Sequence, residues 1–180
     1  MDDRIVAREQ QLLDELPELF AGCGSLLYIG ANDEMHTGLE LLSAAGYDIT
    51  IVEVWPPHLG ELRCPPLSEL VGHVVEGDVR EIDDLGLAVG YDVVMWFHGP
   101  EHIQRHEFEP TLAKLEDLTV GLIVLGAPWG NTMGLGPYPY AHHISYYEEA
   151  DWEALGYEVR TMPPKDAHGG HMLGWKWTDW

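Results

Sequence analysis

Three short phrases constrain this 180-residue chain more than anything else in it: AAGYDIT at 44–50, AVGYDVV at 88–94 and ALGYEVR at 154–160. Each has the form of one junction. A helix ends, glycine takes the left-handed backbone just past it, and an aromatic–acidic pair leads into a β-branched strand. Their unequal separations exclude a tandem repeat. Three αβ junctions predict an alternating α/β chain. The length fits one domain, 1–180, long enough to bury a core and too short for two.

The apolar runs agree. SLLYIG (25–30), ITIVEV (49–54), DVVMWF (92–97) and GLIVLG (121–126) are short and nearly continuously hydrophobic, as parallel strands covered on both faces should be. HVVEG (73–77) reads as a further short strand, and HMLGWKW (171–177) as a last one at or near an edge. Helices are predicted over about 36–45, 101–118 and 147–155. An N-terminal helix near 3–20, within the segment 1–22, carries Ile5, Val6, Leu12, Leu13 and Leu16 on one side, and Pro17 should bend or end it. Residues 127–146 are rich in glycine and proline without a period, which predicts a long loop over the site. The fold class is therefore α/β, a doubly wound and mostly parallel sheet with helices on both faces. In such sheets ligands bind beyond the carboxyl ends of the strands.

Charge narrows the partners. Thirty-one acidic residues face nine basic ones, a formal net charge of −22. That surface repels phosphate backbones and anionic lipid, so neither nucleic acid nor membrane is an expected partner, and a small molecule or a basic protein is. No apolar run reaches the roughly 18–20 residues of a membrane span, and MDDRIVAREQ lacks the pattern of a signal peptide. A cytoplasmic protein with reduced Cys23 and Cys64 is the expectation.

The residues just after each strand are the candidates for function. Gly30 opens the turn GANDEMHTG, where backbone amides can approach an anionic group, although Asp33 and Glu34 oppose an anion and an ordinary βα turn explains it equally. Glu53 follows the second strand, 23 residues beyond Gly30, where a carboxylate can accept both hydroxyls of a ribose. Asp78 in EGDVREI can receive an adenine amino group or cap the helix that follows.

In this order and spacing, LLYIGAND, ITIVEV, VVEGDVREI, YDVVMWFHGPEHI and GLIVLGAPWG resemble the class I S-adenosylmethionine (SAM)-dependent methyltransferases over roughly residues 25–177. The resemblance implies a seven-stranded sheet with an antiparallel last strand, SAM as cofactor, and methyl transfer to a small-molecule acceptor. Tyr28, Gly30, Ala31, Asn32, Glu53, Val54, Asp78, Val79 and Phe97 would then frame the cofactor. The family's acidic-x-Gly-x-Gly-x-Gly turn is replaced by Tyr28-x-Gly30-x-Asn32-x-Glu34, so a phenol stands where a carboxylate is usual. A catalytically silent binding or scaffold protein with the same fold is the alternative.

Inside FHGPEH, His98-x-x-Glu101-His102 has the spacing of inverted zinc peptidases. A zinc pair at i and i+4 needs continuous helix, and Gly99-Pro100 interrupts it. Pro100 should instead start a helix, with His98 on the preceding loop and His102 one turn in. His98 or His102 is a candidate base, and His102 can equally be a packed core histidine. The phrase Tyr140-x-x-His143-x-Ser145 resembles an acceptor-side loop of the family, which makes His143 the third catalytic candidate. No metal ligands are assigned: His142-His143 and His168/His171 have metal-binding chemistry, but paired histidines in loops usually do not bind one, and His142 or His143 is expected to line a substrate pocket. Trp175 and Trp177 share a face of the last strand, against a helix or a second copy of the chain, so a homodimer is among the expected assemblies.

Overall fold

The structure, a computed structural model, describes residues 12, 14–31, 35–130, 133–137, 139–162 and 170–178. Most of the expected N-terminal helix, together with Asn32, Asp33, Glu34 and His168, lies outside them. Seven strands form one sheet, ordered from edge to edge as His73–Glu76, Tyr47–Glu53, Gly24–Ile29, Tyr91–Phe97, Thr119–Trp129, Gly170–Trp177 and Glu158–Met162. The chain divides into two compact units, 1–79 and 80–180.

In the first unit, Leu12 and Leu16 are buried, and Pro17 does end the first helical turn: Leu16 is non-helical and Pro17 starts α1 (Pro17–Ala21). Then come β1 (Gly24–Ile29), α2 (His36–Ala45), β2 (Tyr47–Glu53), α3 (Pro56–Leu62) and β3 (His73–Glu76). The three strands are parallel, with Tyr28 beside Ile51 and Glu53 beside Glu76. The helix α3 was not expected from the sequence. Its signal is Pro56 in the first turn, where a missing N–H costs nothing.

The second unit contains β4 (Tyr91–Phe97), α4 (Arg105–Leu118), β5 (Thr119–Trp129), α5 (Glu149–Glu153), β6 (Glu158–Met162) and β7 (Gly170–Trp177). β4 and β5 are parallel, whereas β7 runs antiparallel to both β5 and β6. The last strand is therefore antiparallel and second from the edge, with β6 outermost. Three expectations shift. The helix over 101–118 is two pieces: a 3-10 turn at Pro100–His102, then α4. Ile103 is extended, and Gln104 restarts the helix through a reciprocal cap with Glu107. β5 runs on to Trp129, which takes 127–129 out of the loop. The helix near 147–155 shortens to Glu149–Glu153.

The three junction glycines all adopt positive φ: Gly46 at 103°, Gly90 at 85° and Gly156 at 87°. At each, the aromatic that follows turns inward and the acid outward: Tyr47, Tyr91 and Tyr157 are buried, Asp48, Asp92 and Glu158 exposed. The middle junction departs from the expectation in one respect. It follows the 3-10 segment Val79–Asp84 and a loop, not an α-helix. On β7, Trp175 is buried beneath the Arg160 guanidinium, while Trp177 is 53% exposed.

Candidate functional site

The cofactor-side candidates Tyr28, Gly30, Ala31, Glu53, Val54, Asp78 and Val79 all belong to the first unit. Gly30 closes β1 with φ 79° and donates its N–H to the Val52 carbonyl at 2.9 Å. A side chain there would meet the left-handed penalty, so this position favours glycine. Tyr28 and Ala31 are buried. Asp78 and Val79 are half-buried at the exit from β3.

Glu53 is the best defined of this group. It is 5% exposed at the carboxyl end of β2. Its Oε1 accepts the backbone N–H of Val54 at 2.9 Å and of Trp55 at 2.7 Å. Its Oε2 lies 3.7 Å from Nδ1 of His58. Burial raises its carboxyl above the ordinary value, opposed by the Trp55 amide and by His58. One oxygen is thus fixed by the turn that starts α3, and the other retains lone pairs for a hydroxyl donor. His58 is a member of this group that the sequence reading missed; the proline start of α3, which brings the third helical residue back to β2, is the signal.

The second unit gathers the histidines. His98 follows β4 with φ 49°, a left-handed conformation uncommon outside glycine, and its N–H donates to Gly126 at 2.8 Å. Its Nδ1 is 3.1 Å from Glu101 Oε1. A carboxylate only accepts, so Nδ1 carries the proton and the lone pair of the neutral ring is on Nε2. That Nε2 is buried and has no hydrogen-bond partner among the described residues. The ring packs against His171 at a centroid distance of 5.4 Å. Phe97, at the end of β4, is buried against His171 and Gly126.

Glu101 organises the cluster and was not among the expected site residues, although the H-x-x-E-H spacing held its position. It is 1% exposed. Besides His98 Nδ1, its Oε1 lies 3.7 Å from His102 Nε2 and 4.0 Å from His143 Nε2. Burial pushes its carboxyl up, but the His98 hydrogen bond and the positive character of His98 and His102 prevail and hold it below the ordinary carboxylate value. The third candidate, His143, comes from a segment stitched to the Pro100–His102 turn. Ile144 and Ser145 donate their N–H groups to the Glu101 carbonyl at 2.9 and 3.1 Å. The Ser145 hydroxyl donates to Ile103, and His102 Nδ1 to the His142 carbonyl at 3.0 Å. His98, His102 and His143 therefore converge on one buried carboxylate.

No family model and no curated protein sequence matches the chain. Solved structures do match. The N-methyltransferase NodS from Bradyrhizobium japonicum superposes with a TM-score of 0.71 at 15% identity, covering 98% of this chain and 97% of that one. The magnesium protoporphyrin IX methyltransferase ChlM from Synechocystis, solved with bound SAM, gives 0.68 at 14% identity, covering 97% and 81%. The methyltransferase domain of a bacterial protein, CtHen1-CN, gives 0.63 at 16%, covering 95% and 97%. At such identities the likeness is one of fold, and the fold is that of the class I methyltransferases.

Proposed function

We propose that this chain is a SAM-dependent methyltransferase acting on a small-molecule acceptor. The observation that carries the reading is Glu53, a nearly buried carboxylate at the carboxyl end of β2 with one oxygen tied to the backbone and the other retaining acceptor capacity. The chemistry of a ribose diol fits this group, since a carboxylate oxygen accepts hydroxyl donors. Gly30 and Ala31 would lie along the amino-acid end of SAM, with Glu53 on the ribose and Asp78, Val54 and Val79 about the adenine. NodS and ChlM, which share the fold, are methyltransferases and support the reaction class.

SAM, when bound, supplies a methyl group on a sulfonium centre. The protein's part is to hold donor and acceptor in line, since proximity supplies much of the rate. His98 is the base, because Glu101 orients the ring and leaves Nε2 to take a proton from an acceptor oxygen or nitrogen. A second reading, a scaffold protein without transfer, is favoured by Tyr28, which is buried at the position where the family has an acid.

Calorimetric titration with SAM and S-adenosylhomocysteine tests this, repeated on Glu53→Ala with folding checked by circular dichroism. Micromolar binding that weakens at least about tenfold in the variant is expected, since hydrogen bonds to a charged group contribute roughly 1.5–3 kcal/mol. Absence of binding up to millimolar ligand would leave the scaffold reading. His98→Ala should keep cofactor binding and slow transfer by about 10²–10⁴ once an acceptor is found.

A further inference from the structure

We infer that Glu101, His102 and His143 form a binding site for one divalent transition-metal ion of the zinc type. The inference rests on the second unit alone and does not depend on methyl transfer.

The ligand atoms are already gathered. Glu101 Oε1 is 3.7 Å from His102 Nε2 and 4.0 Å from His143 Nε2, and the three residues' ligand atoms all lie within 4.8 Å of one another. Bonds of about 2.0–2.2 Å in a tetrahedral array set ligand atoms roughly 3.3–3.6 Å apart. The two carboxylate–imidazole distances then close by a few tenths of an ångström, and the pair bounded at 4.8 Å by up to about 1.5 Å, which a rotation of the His102 and His143 rings supplies.

The hydrogen bonds around them select the right lone pairs. The His142 carbonyl can only accept, so His102 Nδ1 carries the proton and Nε2 of the neutral ring faces the Glu101 carboxylate with its lone pair. A cation between these two lone pairs, either a proton on Nε2 or a metal ion, turns their repulsion into attraction. A ring nitrogen donating to a backbone carbonyl is also the arrangement that orients metal-binding histidines and raises their basicity. Glu101 supplies an independent sign. It is 1% exposed, yet its Oε2 has no hydrogen-bond partner among the described residues. A buried carboxylate oxygen in that condition is costly, and a metal ion bound through both carboxylate oxygens would relieve it.

The backbone fixes His143 before any ion arrives. His143 and Gly134 exchange two backbone hydrogen bonds, of 3.1 and 3.0 Å, and the following two amides are held by Glu101 itself. Two imidazole nitrogens and one carboxylate suit zinc, cobalt or nickel, and not magnesium or calcium, which prefer oxygen ligands. Three protein ligands leave a coordination position open to water or to an oxygen or nitrogen of a small molecule. This ligand set is not the His98–His102 pair of the zinc peptidase spacing. His98 is committed to Glu101 through Nδ1.

The test uses tag-free protein stripped with chelator, dialysed against zinc and assayed for bound metal, with Co²⁺ as a spectroscopic probe. One zinc per chain is expected, together with the visible cobalt bands of a four- or five-coordinate nitrogen–oxygen site. His143→Ala, a loop substitution whose folding circular dichroism verifies, should weaken zinc binding at least about tenfold. His36→Ala, which removes a half-buried histidine of the first unit, 3.6 Å from Glu40, should leave binding unchanged. Less than stoichiometric zinc in the wild type, or equal binding in His143→Ala and the wild type, overturns the assignment.

Discussion

The Tyr147 hydroxyl donates to the carbonyl of Pro100 at 3.1 Å, across 47 positions of sequence. That bond clasps the segment carrying His143 to the turn carrying Glu101. The ring itself is buried against Phe108, 4.6 Å between centroids, beneath the Arg105 guanidinium.

Tyr147→Phe isolates the clasp, because the ring packing survives. We expect a loss of about 1 kcal/mol, the net worth of one buried hydrogen bond, and a fall in Tm of roughly 2–4 °C for a chain of this size. Differential scanning calorimetry measures it; an unchanged Tm would mean that the hydroxyl contributes nothing to holding the loop.

Gly126 and Phe97 are partners across β5 and β4. A Cβ on Gly126 would come within 2.3 Å of Phe97 Cδ1 and 3.0 Å of Cγ, so the whole ring would have to move. Gly126→Ala should destabilise by about 1–3 kcal/mol, as overpacked cores do. Urea unfolding monitored by tryptophan fluorescence reads this directly.

Two other glycines predict opposite signs. Gly60 lies inside α3 with nothing within 4 Å of an added Cβ, so Gly60→Ala should stabilise by roughly 0.5–1 kcal/mol. Gly156 has almost as much space, its nearest neighbour being Lys176 Cε at 3.9 Å, but its φ is 87°. Gly156→Ala should therefore cost about 1–2 kcal/mol from the left-handed backbone alone. Denaturant midpoints of the pair separate backbone conformation from packing; a shared sign would refute the distinction.

Glu53 predicts a pH dependence. Burial raises its folded-state carboxyl above the unfolded value, so the folded chain binds more protons between the two values. The stability contribution is accordingly largest below the ordinary carboxylate range, declines as pH rises through the window, and levels off above the raised value. Glu53→Gln keeps an oxygen for the Val54 and Trp55 amides and removes the charge. In the absence of ligand it should be at least as stable as the wild type at pH 7, and its advantage should shrink as pH falls below the ordinary carboxylate value. A variant that loses stability at pH 7 would show that the carboxylate's hydrogen bonds outweigh its burial.

The strands were legible because their signal is local. A run such as Val93–Phe97 is apolar throughout, and all five residues are buried. The boundaries were less legible. The helix beginning at Pro100 had to be divided at Ile103, because the Gln104–Glu107 cap competes with continuation and one-dimensional periodicity does not weigh that contest. His98 and His102 were visible as a motif, and Gly99-Pro100 already separated them into a loop and a helical turn, but the partner of each ring was not legible. In the structure one hydrogen-bonds Glu101 through Nδ1 while the other turns Nδ1 to the His142 carbonyl.

By itself, the sequence determined the α/β class, the glycine at each left-handed junction and the strand that each aromatic–acidic pair leads into. These follow from backbone sterics and the burial of neighbouring residues, and both act over a few positions. Only the tertiary structure decided what surrounds Glu101. Its companion His143 stands 42 residues away, and the two meet because backbone hydrogen bonds of Ile144 and Ser145 return the loop to Glu101. A buried carboxylate selects its partners by distance in space, and a linear pattern carries no record of that distance.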